Sequence, residues 1–197
     1  MPVAANMTDA VQWVLYDTLL TAAAANTLAQ YTFFQVPIGG AKTKAQTNME
    51  QVSRLADPDY FNCQAVGFEF APNMVKVDID QFLNAYYCEF WVGQKVYAEG
   101  PLSVFPSGAG LSGATTRNNE GTFSNGLPTL GNCFDLRLPA GVAGADGITG
   151  ITILQGQQFQ FRVIGTPFAL AAAAAPMNGA GLILKTYLFG IKYRAVQ

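Results

Sequence analysis

The residue types that most active sites depend on are scarce in this chain. Its 197 residues include no histidine, which removes the commonest general base near neutral pH and every Ser-His or Cys-His nucleophilic pair. Cys63, Cys88 and Cys133 are odd in number and lack C-x-x-C spacing. They read as buried reduced thiols suited to a reducing cytoplasm, not as a disulfide framework or a zinc site. Asp57 and Asp59 flank Pro58, and Asp78 and Asp80 lie two apart. Either pair could offer oxygens to a hard cation such as calcium, but neither has the further acids of an EF-hand loop. Turn and capping roles fit the first pair better, and a solvated strand face fits the second. Glu69, Glu89 and Glu99 are the carboxylates that could serve glycoside hydrolysis, which needs two of them flanking one bond. The sequence does not pair them. No catalytic, cofactor-binding or metal-binding residue is assigned, no cofactor is expected, and the chain is not read as an enzyme.

Gly108-Ala-Gly110-Leu-Ser-Gly113 matches the dinucleotide-binding glycine pattern letter for letter. That pattern works only between a strand and a helix, where the pyrophosphate meets the helix N-terminus. The TTRNNEGTFSNG that follows cannot sustain a helix, so the segment reads as a loop. Aromatic side chains are plentiful, and the cluster Phe82, Tyr86, Tyr87, Phe90 and Trp91 could stack sugar rings or bases. Core filling is the commoner fate of such a cluster. An alternative reading keeps Tyr87 and Trp91 as a stacking platform of a carbohydrate- or receptor-binding module.

Charge narrows the field further. Eleven Lys and Arg against 13 Asp and Glu give a net charge of −2, and Lys42, Lys44, Lys76 and Lys95 are dispersed. Phosphate neutralisation needs clustered cations, so direct sequence-specific nucleic-acid binding is not expected. Charged residues are 12% of the chain against about 25% in an ordinary soluble domain. A protein so poor in charge has little with which to keep its surface apart from its neighbours, so much of that surface is expected to be buried between subunits. Residues 1–10 lack the positive n-region of a secretory leader, and none is expected. The uncharged stretches Thr18 to Ala41 and Val163 to Leu184 fail as membrane helices. The first holds Asn26, Gln30, Gln35 and Pro37, and the second Gly165, Pro167, Pro176, Asn178 and Gly179.

The elements that position these residues follow from periodicity. Residues 8–29 read as a helix with Thr8 as N-cap and Val11, Leu15, Leu19 and Leu20 near helical spacing. From Tyr31 onward, short aromatic and β-branched runs alternate with Gly, Pro, Asn and Asp clusters, the rhythm of an all-β sandwich. Eight strands are predicted: Tyr31 to Pro37, Phe61 to Ala71, Tyr86 to Val92, Lys95 to Phe105, Cys133 to Leu138, Gly150 to Leu154, Gln158 to Ile164 and Leu182 to Arg194. The expectation is an all-β single eight-stranded jelly-roll sandwich over residues 31–197, with an N-terminal helical arm over residues 1–30. The long segments Pro106 to Asn132 and Pro139 to Thr149 are read as loops that need neighbouring surfaces to become ordered.

Several strings, taken in order, carry a resemblance: Leu15-Tyr-Asp-Thr18, Phe33-Phe-Gln-Val-Pro-Ile-Gly39, Lys42-Thr with Thr47-Asn-Met49, Phe61 with Val66-Gly67, Lys95-Val-Tyr-Ala-Glu-Gly-Pro-Leu102 with Pro106-Ser-Gly-Ala-Gly110, and Leu188-Phe-Gly-Ile-Lys-Tyr-Arg194. Together they resemble jelly-roll capsid proteins of tailless icosahedral bacteriophages. The resemblance implies a virion protein assembled in the host cytoplasm, building an icosahedral shell from copies of itself and other capsid proteins. In some relatives that shell encloses an internal lipid membrane. It leaves open whether the chain is a major, minor or penton subunit. Closed shells repeat one chain in symmetric contacts, which rewards apolar, shape-matched surfaces. Subunit contacts are therefore expected on the N-terminal helix, through Leu15, Leu19 and Leu20, and on the two long loops, through Leu111, Phe123 and Leu127.

Overall fold

Alternating apolar and polar residues pair along the chain into two antiparallel sheets. The computed structural model describes residues 9–22, 26–70, 76–105, 113–115, 121–123, 133–138, 149–170 and 180–194, the side chains of residues 20–22, 76, 113–115, 121–123 and 180–183 aside. The first sheet contains β1 (Asp9–Ala22), β3 (Tyr60–Phe70), β8 (Phe134–Asp135), β9 (Ile151–Ile153) and β11 (Ala180–Arg194). Its order is β1-β11-β3-β8, and β9 also pairs with β3. The second sheet contains β2 (Gln30–Thr32), β4 (Tyr86–Val92), β5 (Lys95–Pro101) and β10 (Phe159–Gly165), in the order β2-β10-β4-β5. A separate ribbon joins β6 (Gly113–Thr115) to β7 (Gly121–Phe123), and a 3-10 turn, Leu102–Val104, follows β5.

The segment expected as an N-terminal helix is strand β1. It runs antiparallel to β11 from the pair Asp9 and Arg194 through Leu15 and Leu188 to Leu20 and Ile183. Its sequence, DAVQWVLYDTLLTA, is apolar on both faces, so every helical spacing is also satisfied by a strand, and its Val, Trp, Tyr and Thr content favours the strand. The converse error lies at Lys76–Ala85, which forms helix α1. Asp78 and Asp80, expected on a solvated strand face, stand in its first turns, where Asp78 complements the helix dipole and is buried, while Ile79 and Phe82 enter the core. The other strands lie within a few residues of expectation. The described residues form eleven strands against the eight expected, because the segment read as a helix is β1 and the segment Pro106 to Asn132, read as a loop, contains the ribbon of β6 and β7.

Between the sheets, Phe161 of β10 meets Phe33, Phe68, Phe90 and Phe105, with ring centroids 5.8 to 6.5 Å apart. All five rings are fully buried. Phe159, Phe161 and Val163 face inward while Gln160, Arg162 and Ile164 face out, as the alternation requires. One edge of the sandwich is closed by the segment between β2 and β3. There the Asn48 side chain accepts from the Tyr16 N–H at 3.0 Å and donates to the Val14 carbonyl at 2.7 Å, covering the free edge of β1.

That segment is anchored through Asp17, which is fully buried. Its carboxylate accepts from the Phe34 N–H at 2.6 Å and from Lys42 Nζ at 2.6 Å. Phe34 has a φ of +67°, a left-handed conformation that a bulky residue adopts only when its surroundings hold it there. A second tight point is Gly190, at the irregularity where β11 shifts register against β3. A Cβ there would lie 1.9 Å from the Asn62 carbonyl oxygen. Gly190→Ala is therefore expected to push β11 off β3 and destabilise by about 1–3 kcal/mol, near the upper end because backbone cannot step aside. Urea unfolding with an unchanged midpoint would refute this.

Candidate interaction surfaces

Strand β11 occupies an interior position of its sheet, and its inward residues Leu184, Thr186 and Leu188 are fully buried. The outward positions should then be polar if that face met water. After Lys185 they are Tyr187, Phe189, Ile191 and Tyr193, all half-buried. Tyr187 stacks on Phe189 at 6.1 Å, and Tyr193 stacks on Tyr60 of β3 at 4.6 Å. On one side the row is flanked by Val14 and Tyr16 of β1, and on the other by Ala65 and Gly67 of β3. Charged members of this face include Lys185 and Glu69, which stand opposite one another in the register, and Asp135 of β8, opposite Ala65 and paired with Arg137 at 2.8 Å. Tyr187 donates to Glu69 Oε2 at 2.5 Å, and burial together with that carboxylate pushes its phenol well above the ordinary tyrosine range.

Beside this row lies an open groove of about 560 Å³, with Val14 and Phe189 among its apolar lining, Trp13 and Tyr16 alongside, and Gln12, Asn48 and Lys44 supplying its polar groups. Tyr16 Oη donates to the Lys44 carbonyl at 2.5 Å, which ties the 44–48 segment to β1. Trp13 is 40% exposed, with Lys192 Nζ 5.2 Å from its ring centre. The Lys44 side chain is exposed and makes no ion pair among the described residues.

The outward face of the second sheet carries the residues singled out for ligand stacking. Tyr87 is 39% exposed and open to solvent. Trp91 is less available: its Nε1 donates to Glu89 at 2.6 Å, and the Arg162 guanidinium lies 4.8 Å from its ring centre. Arg162 also approaches Glu89 at 3.9 Å. One face of the indole is thus already covered by a cation. Tyr87 and Trp91 lie four residues apart on one strand, a separation of about 13 Å, so they cannot sandwich a single ring.

The remaining candidates fall into place individually. Leu15 is buried inside the sandwich opposite Leu188, and Leu19 packs on the same core opposite Leu184. Neither belongs to a surface stripe, because that stripe depended on a helix that does not form. Leu20 lies in β1 opposite Ile183, and Phe123 in β7 opposite Gly113, but their side chains are outside the described residues. Leu111, Leu127 and the segment 139–148 are also outside them. Gly113 of the glycine pattern begins strand β6, where a dinucleotide site requires a helix. Asp59 pairs with Lys192 at 2.5 Å and Asp57 accepts from Gln155, so each of this pair has a polar partner. Glu89 and Glu99 face each other across β4 and β5, whereas Glu69 is on the other sheet. Among the described residues no cluster of three metal-ligating side chains occurs, and no helix is long and apolar enough to cross a membrane. Burial pushes the Cys63 and Cys88 thiols far up and Cys133 up to about 11.

The outward row on β11 is the feature that sequence reading passed over. Its signal is present in LILKTYLFGIKYR, where both alternating sets of positions hold large apolar residues, the pattern of a strand covered on both faces. No family model, curated protein or solved structure matches the chain.

Proposed function

We propose that this protein is a structural subunit of the capsid of a tailless icosahedral bacteriophage, acting by self-assembly and without catalysis. The observation that carries the reading is the outward row Tyr187, Phe189, Ile191 and Tyr193 on an interior strand, in a chain of which only 12% is charged. A face of that composition is stable when another protein surface covers it. The same reading takes the sandwich as a jelly roll. In support, β1, β11 and β3 with β8 or β9 make one sheet and β2, β10, β4 and β5 the other; the chain changes sheet at each step from β1 to β4, keeps β5 beside β4, and changes sheet again from β9 to β10 and from β10 to β11, which is consistent with that winding. The strings that carry the resemblance also fall at positions that organise the fold: Asp17, Phe34, Lys42 and Asn48 form one hydrogen-bonded set around β1.

The competing reading, a carbohydrate- or receptor-binding module, rests on the exposure of Tyr87. It is the weaker of the two, since Arg162 already occupies one face of Trp91. The shell reading expects the purified chain to assemble into symmetric particles or rings seen by electron microscopy. The module reading expects a monomer whose ligand binding is lost in Trp91→Ala.

A further inference from the structure

The capsid reading requires contacts that propagate from copy to copy, and two features at opposite edges of the sandwich carry apolar surface and opposite charges. One edge is that of β1 and β2, where the Asp17 side chain meets Phe34 just beyond β2. The groove lined by Trp13, Val14, Tyr16, Phe189 and Lys44 opens on the outward side of this edge. The other edge is that of β5 and β8, where Phe105 just beyond β5 lies 4.6 Å from Phe134.

Strand β5 ends its sheet and presents Val96, 40% exposed, and Tyr97, 47% exposed. Phe90 pairs with Ala98 and Trp91 with Val96, so Tyr97 is the extra residue of a bulge. Bulges re-aim side chains and prevent simple strand-to-strand addition at an edge, which leaves Tyr97 as a projecting knob. Glu99 stands exposed next to it and faces Glu89, a like charge whose cation, Arg162, is on the far side. Glu99 makes no ion pair among the described residues, and neither does Lys44 at the groove. Each side thus offers exposed aromatic surface, with an unneutralised carboxylate on one and an unneutralised ammonium on the other.

We propose that the β5 edge of one copy docks in the β1 groove of the next, with Tyr97 and Val96 against Val14, Tyr16 and Phe189, and Glu99 paired with Lys44. Because the two patches lie at opposite edges, the contact is head-to-tail, and such contacts close into rings or extend where a twofold contact would stop at a dimer. This inference rests on the capsid reading and specifies one of its contacts.

The test is a charge-reversal cycle on the full chain, read by sedimentation velocity. Lys44→Glu and Glu99→Lys each set like charges against one another and are expected to weaken association by about tenfold or more. The double variant restores the pair in reverse and is expected to recover association to within a fewfold of wild type. Tyr97→Asp is expected to weaken association at least as much as either single reversal. Each variant should unfold at the wild-type urea concentration, since all three positions are exposed. Single variants that associate like wild type, or a double variant no better than either single, would overturn this contact while leaving the capsid reading intact. A wild-type chain that stays monomeric at every concentration would overturn both.

Discussion

Asp17→Ala will lower the stability of the folded chain by about 3–5 kcal/mol, the cost of breaking a buried ion pair by removing one partner. The carboxylate is fully buried and the Lys42 side chain is 12% exposed. Its loss leaves an ammonium in a largely dry site and the Phe34 N–H without its 2.6 Å acceptor. Phe34 then has nothing to hold its left-handed backbone, and the segment that covers the β1 edge loses its anchor. Asp17→Asn keeps an oxygen for Phe34 and removes only the charge, so its loss should be smaller. Urea unfolding of the two variants checks the order, and a loss below about 1 kcal/mol for Asp17→Ala would show that the pair does not organise this edge.

The dependence on Asp17 also explains why some of the architecture was legible in the sequence and some was not. Strands with one buried face, such as 159–165, announce themselves by strict alternation, since Phe159, Phe161 and Val163 go in and Gln160 and Arg162 stay out. β1 and β11 do not alternate, because both of their faces are apolar, and a continuous apolar run satisfies helix and strand spacing equally. For β1 the choice is made by β11, which lies about 170 residues away in sequence and pairs with it along almost its whole length. Local propensity carries no record of that partner. Helix α1 was missed for the opposite reason: VDIDQF alternates like a strand, but its Ile79 and Phe82 also share a helical face, and the sheets bury that face.

The surface was legible as a quantity and not as a place. Too little charge led to the expectation of area buried between copies, yet the assignment to Leu15 and Leu19 followed from the mistaken helix. With β1 in the sheet these leucines turn inward, and the outward demand passes to Tyr187, Phe189, Ile191 and Tyr193. Tyr87 and Trp91 were visible as aromatics, but the Arg162 that covers Trp91 comes from another strand and could be found only by pairing β10 with β4.

Phe189→Lys is expected to abolish assembly while leaving the monomer folded. Phe189 is one of the outward apolar residues of β11 and also lines the groove against Val14. A lysine can extend its ammonium into solvent from the isolated subunit, so the change in folding stability should stay within about 1 kcal/mol. Between subunits the same ammonium would be buried without a partner in every copy, a penalty repeated across the whole shell. Circular dichroism and urea unfolding report the first half of this prediction, and sedimentation reports the second. Particles that form as readily as those of wild type would remove the β11 face from the subunit contacts.

The claim on which the others depend is that this chain works by packing against copies of itself. Electron microscopy of the purified, concentrated wild-type chain tests it most directly. The account predicts closed particles or rings with rotational symmetry, whose density accommodates the two-sheet sandwich with the outward face of β11 against a neighbour. A uniform population of 21.0 kDa monomers at the highest attainable concentration would contradict it.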